Sequence, residues 1–334
     1  MANELAEALK ELIAAGRAPD LHGVVAVRHG EVILEHYGVG EDFSWGESHG
    51  VVTFGPDTLH DVRSITKSVV GVLYGIALGD DLVPDPHEPL LPNFPEYPDL
   101  AADPERARLT VEHALTMTLG LEWDEDAPYT GTENSEIAME HAPDRNRYVF
   151  ERPIAAEPGT TWRYCGGATA LLGALIAKGS GRPLEAFARE RLFEPLGCKA
   201  FEWMRGDDGV ASAASGLRLT PRDLARIGRL VLAGGSWDGR EIVPKTWLDA
   251  ALRRRATIEE GFDYGYQWYV SALTPRPDIS HPWVGALGNG GQRIDVVFDL
   301  DLVVAFAAGA YDADETFATP MTVLEDVILA NLEP

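Results

Sequence analysis

The sequence predicts a mixed α/β (α+β) fold, in which an antiparallel sheet is flanked by two terminal helices and carries an inserted, mostly helical lobe. Three observations predict it. β-like runs stand at both ends of the chain, at Gly23 to Arg28 and Val32 to Tyr37, then at Tyr264 to Val270, Arg293 to Phe298 and Leu302 to Ala308. The middle of the chain carries helical apolar spacing instead. Each terminus carries a helix signal of its own. Strands at both ends with helices between them imply a discontinuous sheet lobe, residues 1–62 and 236–334, around a helical lobe, residues 63–235. The cleft between the lobes is the expected place for an active site.

The elements follow in order. Leu5, Ala8, Leu9, Leu12 and Ile13 share one helical face, so Met1 to Asp20 reads as an amphipathic surface helix. His29-Gly30-Glu31 separates the first two β-like runs and reads as a hairpin turn. Arg63 to Gly79 is a strongly apolar helix with Ile65, Val69, Val72 and Ile76 as its stripe. Asp80 to Asp103, rich in proline and acids, reads as loop. Thr110 caps a short helix running towards Met117, in which His113 is expected to be structural. Leu119 to Asn146 looks irregular and is long enough to be a functional loop. Glu157-Pro158-Gly159 makes a turn, after which Ala168, Leu171, Leu172, Leu175 and Ile176 continue as a buried helix. Thr220-Pro221 and Thr319-Pro320 are N-cap and first-turn pairs, Gly234-Gly235 ends a helix, and Pro244 opens another.

Composition narrows the function. With 334 residues the chain can bury a large core. A formal net charge of -25 repels nucleic acid and anionic membranes, so neither is an expected partner; a small-molecule substrate is. The two cysteines, Cys165 and Cys198, are too few for a disulfide framework or a zinc site. No His/Cys/Asp/Glu group has ligand spacing, so neither metal nor cofactor is expected. The N-terminal segment carries Glu4, Glu7, Lys10 and Glu11 and lacks a continuous apolar run, unlike an export signal. The longest uncharged segments of the chain, which include Ser68 to Gly79, Tyr164 to Ala177 and Ile279 to Gln292, fall short of the roughly 18 residues of a spanning helix. A cytoplasmic location is the expectation, and nothing in the sequence sets the oligomeric state.

Three segments carry chemistry. Ser64-Ile65-Thr66-Lys67 lies where loop becomes helix, and the i, i+3 spacing puts hydroxyl and amine on one face, one turn apart. The free amides and dipole of a helix start favour the negative charge that develops there. Lys67, one of five lysines, heads an otherwise uncharged helix; burial is expected to lower its pKa and make it a usable general base. The bland alternative is an N-cap serine beside a snorkelling lysine. Tyr164, in Trp162-Arg163-Tyr164-Cys165-Gly166-Gly167, is a candidate proton shuttle, or else a buried tyrosine with one hydrogen bond. Gly285-Ala286-Leu287-Gly288-Asn289-Gly290-Gly291-Gln292 lets backbone amides approach a substrate closely, as an oxyanion hole needs, or is a glycine-rich hairpin. Trp123, Asp124, Gly166, Trp268, Tyr269, His281 and Gly288 are candidates to line the substrate space, with core packing or loop structure as the alternative.

Taken together, these segments resemble the serine β-lactamase and penicillin-binding-protein superfamily over nearly the whole chain. Gly288 to Gln292 in particular is similar to the Gly-x-Gly-Gly-Gln segment of its esterase and 6-aminohexanoate-dimer-hydrolase branch. The resemblance implies a β-lactamase/transpeptidase-like fold, Ser64 as nucleophile, Lys67 as base and Tyr164 as acid/base, with an oxyanion hole from the amides of Ser64 and Asn289. It further implies an acyl-enzyme hydrolase of small carboxylic esters or linear amides. β-Lactamase or D-alanyl carboxypeptidase activity and a non-catalytic ligand-binding relative remain the alternatives. Two positions depart from the β-lactamase pattern. Gly166 stands where Tyr-x-Asn has its asparagine, and Gly285-Ala286-Leu287 where Lys-Thr-Gly holds a substrate carboxylate.

Overall fold

The computed structural model describes residues 2–129 and 131–332. Met1 of the expected first helix, Thr130 of the expected loop, and residues 333–334 of the expected sheet lobe lie outside them.

Eight strands form one sheet: β1 (Leu21–Arg28), β2 (Glu31–Tyr37), β3 (Ala256–Glu259), β4 (Phe262–Tyr264), β5 (Tyr269–Arg276), β6 (Ile279–Gly288), β7 (Gln292–Val297) and β8 (Leu302–Ala308). Their spatial order is β3-β4-β5-β6-β7-β8-β1-β2, antiparallel at every junction. The C-terminal strands form a meander whose last member pairs with β1, Leu21 opposite Ala308, so the two ends of the chain close one sheet.

Both faces of this sheet are covered, and successive side chains of β1 serve the two sides alternately. Val25 and Val27 join a large apolar cluster with Ile65, Val69 and Leu73, whereas Val24 and Ala26 join a smaller one with Leu5, Leu9 and Val327. The smaller cluster lies under α1 (Ala2–Ala14) and the C-terminal helical run through Ala318–Thr322, Val323–Leu329 and Ala330–Leu332. The larger is built on α2 (Ile65–Gly79), whose residues from Ile65 to Ala77 are all buried. A helix buried all round is a core helix. Its close neighbour is Trp247, whose Nε1 donates to the Gly71 carbonyl at 3.0 Å and whose ring lies where a Cβ on Gly75 would be.

The first hairpin, the Thr110 cap and the Thr220-Pro221 start are as the sequence predicts. The closing helical run stands where expected, but it begins at Ala318 with Phe317 at the N-cap, so Thr319 lies inside the first turn and caps nothing. At the Thr110 cap, His113 returns a ring nitrogen to the Thr110 amide at 3.2 Å, which is the structural role expected of it. Three features differ. Tyr264 to Val270 is not one strand, because the chain leaves the sheet between β4 and β5 with Gln267 in the left-handed region at φ 62°. The first half of the glycine-rich third segment, Gly285 to Gly288, is itself strand, the end of β6, and the Trp283 ring fills the space that a side chain on Gly285 would take. A further hairpin, Val39–Ser44 and Glu47–Thr53, carries charged residues without clean apolar alternation and so gives no strand signal in the sequence.

The segment expected to be irregular contains one short helix, α3 (Ser135–Glu140), capped by Asn134, and ends in the first turn of another, α4 (Arg145–Phe150), capped by Asp144. Beyond it run α5 (Gly166–Ser180) and α6 (Pro221–Leu232). α5 packs on α2, and α6 packs on β1, β7 and β8.

Candidate active site

The turn that presents Ser64 is fixed from several sides. Arg63, immediately before it, has φ 48°, a left-handed conformation that costs a non-glycine residue on the order of 1–3 kcal/mol. The surroundings hold it there. The Asp61 carboxylate accepts from the Arg63 amide at 3.1 Å and the Trp45 amide at 3.0 Å. Thr66 Oγ1 donates to the Arg63 carbonyl at 2.6 Å and accepts from the Leu217 amide at 3.2 Å. Ser64 therefore stands half-buried at the N-cap position of α2, where the helix amides open, and its side chain makes no capping hydrogen bond.

Lys67, one turn into α2, is 2% exposed. Its Nζ donates to Ser64 Oγ at 3.1 Å, to Glu136 Oε2 at 3.1 Å and to the Ala214 carbonyl at 3.0 Å, with Glu125 Oε2 at 4.0 Å. The expectation that burial lowers its pKa requires correction. Burial does push the ammonium down and is the largest single influence, but the Glu136 and Glu125 charges and the Glu136 hydrogen bond together outweigh it. The net shift is upward, so Lys67 rests as an ammonium.

Tyr164 approaches from the other side. Its ring centroid lies 4.7 Å from Lys67 Nζ, and the Ser64 side chain is among the neighbours that act on its phenol. Burial, reinforced by the Glu125 and Glu136 charges, raises the phenol well above 10, so it rests protonated. Trp162, Tyr264 and Tyr269 extend an aromatic wall beside it, with ring centroids 5.0 to 6.2 Å apart.

The third segment closes the site. A Cβ on Gly288 would fall 2.4 Å from the Val62 carbonyl, so only glycine lets the end of β6 approach the strand leading to Ser64. The turn that follows has Gly290 and Gly291 at φ 90° and 86°, where a side chain would be strained. Gln292 anchors it: its amide nitrogen donates to the Ala308 carbonyl at 2.6 Å and its oxygen accepts from the Ala308 amide at 3.2 Å. The Asn289 side chain is held by Asp312 through two hydrogen bonds.

The remaining candidates separate. Trp123 is buried, and its Nε1 donates to Glu125 Oε1 at 2.5 Å, so it supports a carboxylate. Trp268 is fully buried in the large core cluster. His281 lies seven residues before Gly288 on β6, on the order of 20 Å away along a strand. There it pairs with Asp299 at 2.8 Å, so it is not part of the site. Arg293 is held by Asp295, with Nη2 to Oδ1 at 2.6 Å.

Sequence reasoning missed Glu125 and Glu136, both buried beside Lys67. Glu125 accepts from Trp123 and from the Gly166 amide, and Tyr129 donates to it at 3.2 Å. Burial and the Glu136 charge push Glu125 up to about 7. Glu136 also accepts from Ser215 Oγ at 2.5 Å; burial pushes it up, but the Lys67 charge and its hydrogen bonds bring it below the usual range. A cavity of about 330 Å³ opens beside the pair, bounded among others by Trp45, Arg63, Tyr129, Glu136 and Ser215. The one available signal was the length of the Leu119 to Asn146 segment that carries both carboxylates. Nothing marks these two among 53 acidic residues.

A family model described as Beta-lactamase matches residues 5–319. The chain belongs to the Beta-lactamase family. It is 28% identical over 309 residues to the 6-aminohexanoate-dimer hydrolase of Paenarthrobacter ureafaciens, covering 84% of this chain and 72% of that one. It is 30% identical over 190 residues to esterase EstB of Burkholderia gladioli, covering 54% and 46%. Among solved structures, EstCE1, titled a hydrolase with promiscuous acyltransferase activity, superposes with TM-score 0.76 at 15% identity, covering 98% of this chain and 99% of that one. A penicillin-binding-protein homologue from Caulobacter crescentus does so with TM-score 0.72 at 18% identity, covering 98% and 97%. This Beta-lactamase-family member is a hydrolase of that fold, and its relatives include an amide hydrolase and an esterase. Among its described residues no helix is long and apolar enough to cross a membrane.

Proposed function

We propose that the chain is a serine hydrolase that cleaves small carboxylic esters, and secondarily linear amides, through an acyl-enzyme on Ser64. The observation that carries this reading is Lys67 Nζ at 3.1 Å from the half-buried Ser64 hydroxyl, with the Tyr164 ring packed 4.7 Å from the same nitrogen. Once Lys67 has shed a proton and become an amine, Ser64 Oγ attacks the carbonyl and its proton passes to Lys67. The oxyanion is held by the amides of Ser64 and Asn289 at the start of α2 and the end of β6. Tyr164 donates its proton to the leaving group, and water later displaces the acyl group by the reverse path.

Arg293 and His281, the cations nearest the third segment in sequence, are engaged by Asp295 and Asp299. A carboxylate brought to the Gly285-Ala286-Leu287 wall would lose water without gaining either charge, which is costly. This supports neutral acyl esters over penicillins.

The test has two parts. A fluorophosphonate probe should label Ser64, with labelling and turnover both lost in Ser64→Ala; labelling at another serine would overturn the nucleophile. On the same preparation, kcat/KM for p-nitrophenyl butyrate should far exceed that for nitrocefin. A nitrocefin value equal to the ester's would move the assignment to β-lactamase.

A further inference from the structure

We propose that Glu136, backed by Glu125 in space that Gly166 leaves open, is the proton store that makes Lys67 a base. The inference rests on the serine-hydrolase reading and adds a positioning pair to it.

The geometry starts at Gly166. A Cβ there would lie 2.5 Å from Glu136 Oε2, 3.0 Å from Glu125 Oε1 and 3.1 Å from the Ala214 methyl. The position holds no side chain because two carboxylates from the segment before α3 and from α3 itself occupy its place. Both reach the Lys67 ammonium, Glu136 by direct hydrogen bond. The other titratable or charged groups facing the pair are Tyr129 from the same segment, Tyr164 and Cys165 before α5, Tyr264 and Tyr269 from the sheet, Glu140 on α3, and Arg63 on the cavity rim. Lys67 is the one cation with a hydrogen bond to Glu136 among the described residues.

An ammonium is no base, so Lys67 must give up a proton before it can take one from Ser64. Glu136 Oε2 is the acceptor already in place, 3.1 Å from Lys67 Nζ: the N–H bond breaks, the O–H bond forms, and an ion pair becomes a neutral amine beside a neutral acid. In a buried site this exchange removes two charges that water cannot solvate. Ser64 then adds to the carbonyl, the C=O π pair moves to the oxyanion, and the Ser64 proton goes to Lys67. On collapse the leaving group takes the Tyr164 proton, Tyr164 is reprotonated by Lys67, and Glu136 returns its proton to Lys67. Every group ends as it began. Glu125 keeps the pair singly charged by hydrogen-bonding Glu136 in its protonated form. Once Glu125 ionises, its charge repels the Glu136 carboxylate more strongly than it attracts the Lys67 ammonium, and its hydrogen bond to Glu136 is lost, so the exchange becomes easier.

The experiment is the rate of Ser64 modification by a fluorophosphonate from pH 5.5 to 9, since fluoride departs without needing a proton. The wild-type rate should rise as pH rises through about 7 and then level off. Glu136→Gln should slow modification on the order of 10²-fold or more, with a rate that climbs without an inflection near 7 as Lys67 loses its proton to solvent. Glu125→Gln, whose amide donates to Glu136 as the protonated acid does, should lose the rise near 7. A merely structural role would scale these profiles without changing their shapes. A Glu136→Gln rate within threefold of wild type, or a rise through about 7 that persists in Glu125→Gln, would overturn the proposal. The latter comparison decides even where Glu136→Gln fails to fold. If the wild type is not labelled at Ser64, the serine-hydrolase reading falls and this inference with it.

Discussion

Gly166→Ala is the sharpest perturbation available, because one methyl group separates stability from activity. Gly166 opens α5, where alanine is intrinsically preferred over glycine by up to about 1 kcal/mol. Against this, the new Cβ would sit 2.5 Å from Glu136 Oε2 and 3.0 Å from Glu125 Oε1, so both carboxylates must retreat by something under 1 Å. Overpacking of this kind costs roughly 1–3 kcal/mol. The two terms leave a net loss of about 0–2 kcal/mol, a small shift in Tm for a chain of this size. The catalytic consequence is larger. Glu136 is one of the acceptors that aim Lys67 Nζ at Ser64, and a displacement near 1 Å in a catalytic group can cost on the order of 10²-fold in rate. The assay is kcat/KM for p-nitrophenyl butyrate beside thermal unfolding of the same samples. Wild-type kcat/KM in Gly166→Ala would refute the reasoning, since it would show that the carboxylates can move without consequence for Lys67.

Two further outcomes are expected. Lys67→Ala and Tyr164→Phe should each lower kcat by on the order of 10²- to 10⁴-fold, and the double variant should not show the product of the two losses, because both residues lie on one proton path; near wild-type kcat in Tyr164→Phe would reduce Tyr164 to packing. Acid should loosen the turn that carries Ser64 through His60, which bonds His22 at 2.9 Å and whose burial pushes its pKa down to about 3. A histidine pKa depressed by folding contributes stability that is complete above about 6.5 and lost as pH falls, at about 1.4 kcal/mol per pH unit. Urea unfolding at pH 7 and pH 5 should therefore show a loss in wild type that His60→Gln reduces by about 2 kcal/mol; equal losses would contradict it. Glu125 and Glu140, both raised to about 7, act in the opposite sense over the same window, which is why the comparison is made between variants.

Much of this protein is legible in its sequence because the signals are local. The i, i+3 spacing of Ser64 and Lys67 places hydroxyl and amine together whatever surrounds them, and Thr110, Thr220 and their caps start helices by hydrogen bonds within one turn. Gly288 to Gln292 likewise carries its own turn, with glycines where φ is positive and a glutamine to anchor it. Tertiary structure decided what depends on distant partners. Lys67 is an ammonium because Glu125 and Glu136, some 60 to 70 residues later, outweigh its burial; composition offers no way to pick them from the other acids. His281 and Arg293 sit close in sequence to the third segment, yet strand geometry carries one far up β6 and the other into an ion pair with Asp295. Gly166 reads in sequence as a missing asparagine, but in space it is where two carboxylates meet, since a side chain's absence has meaning only through what fills its volume.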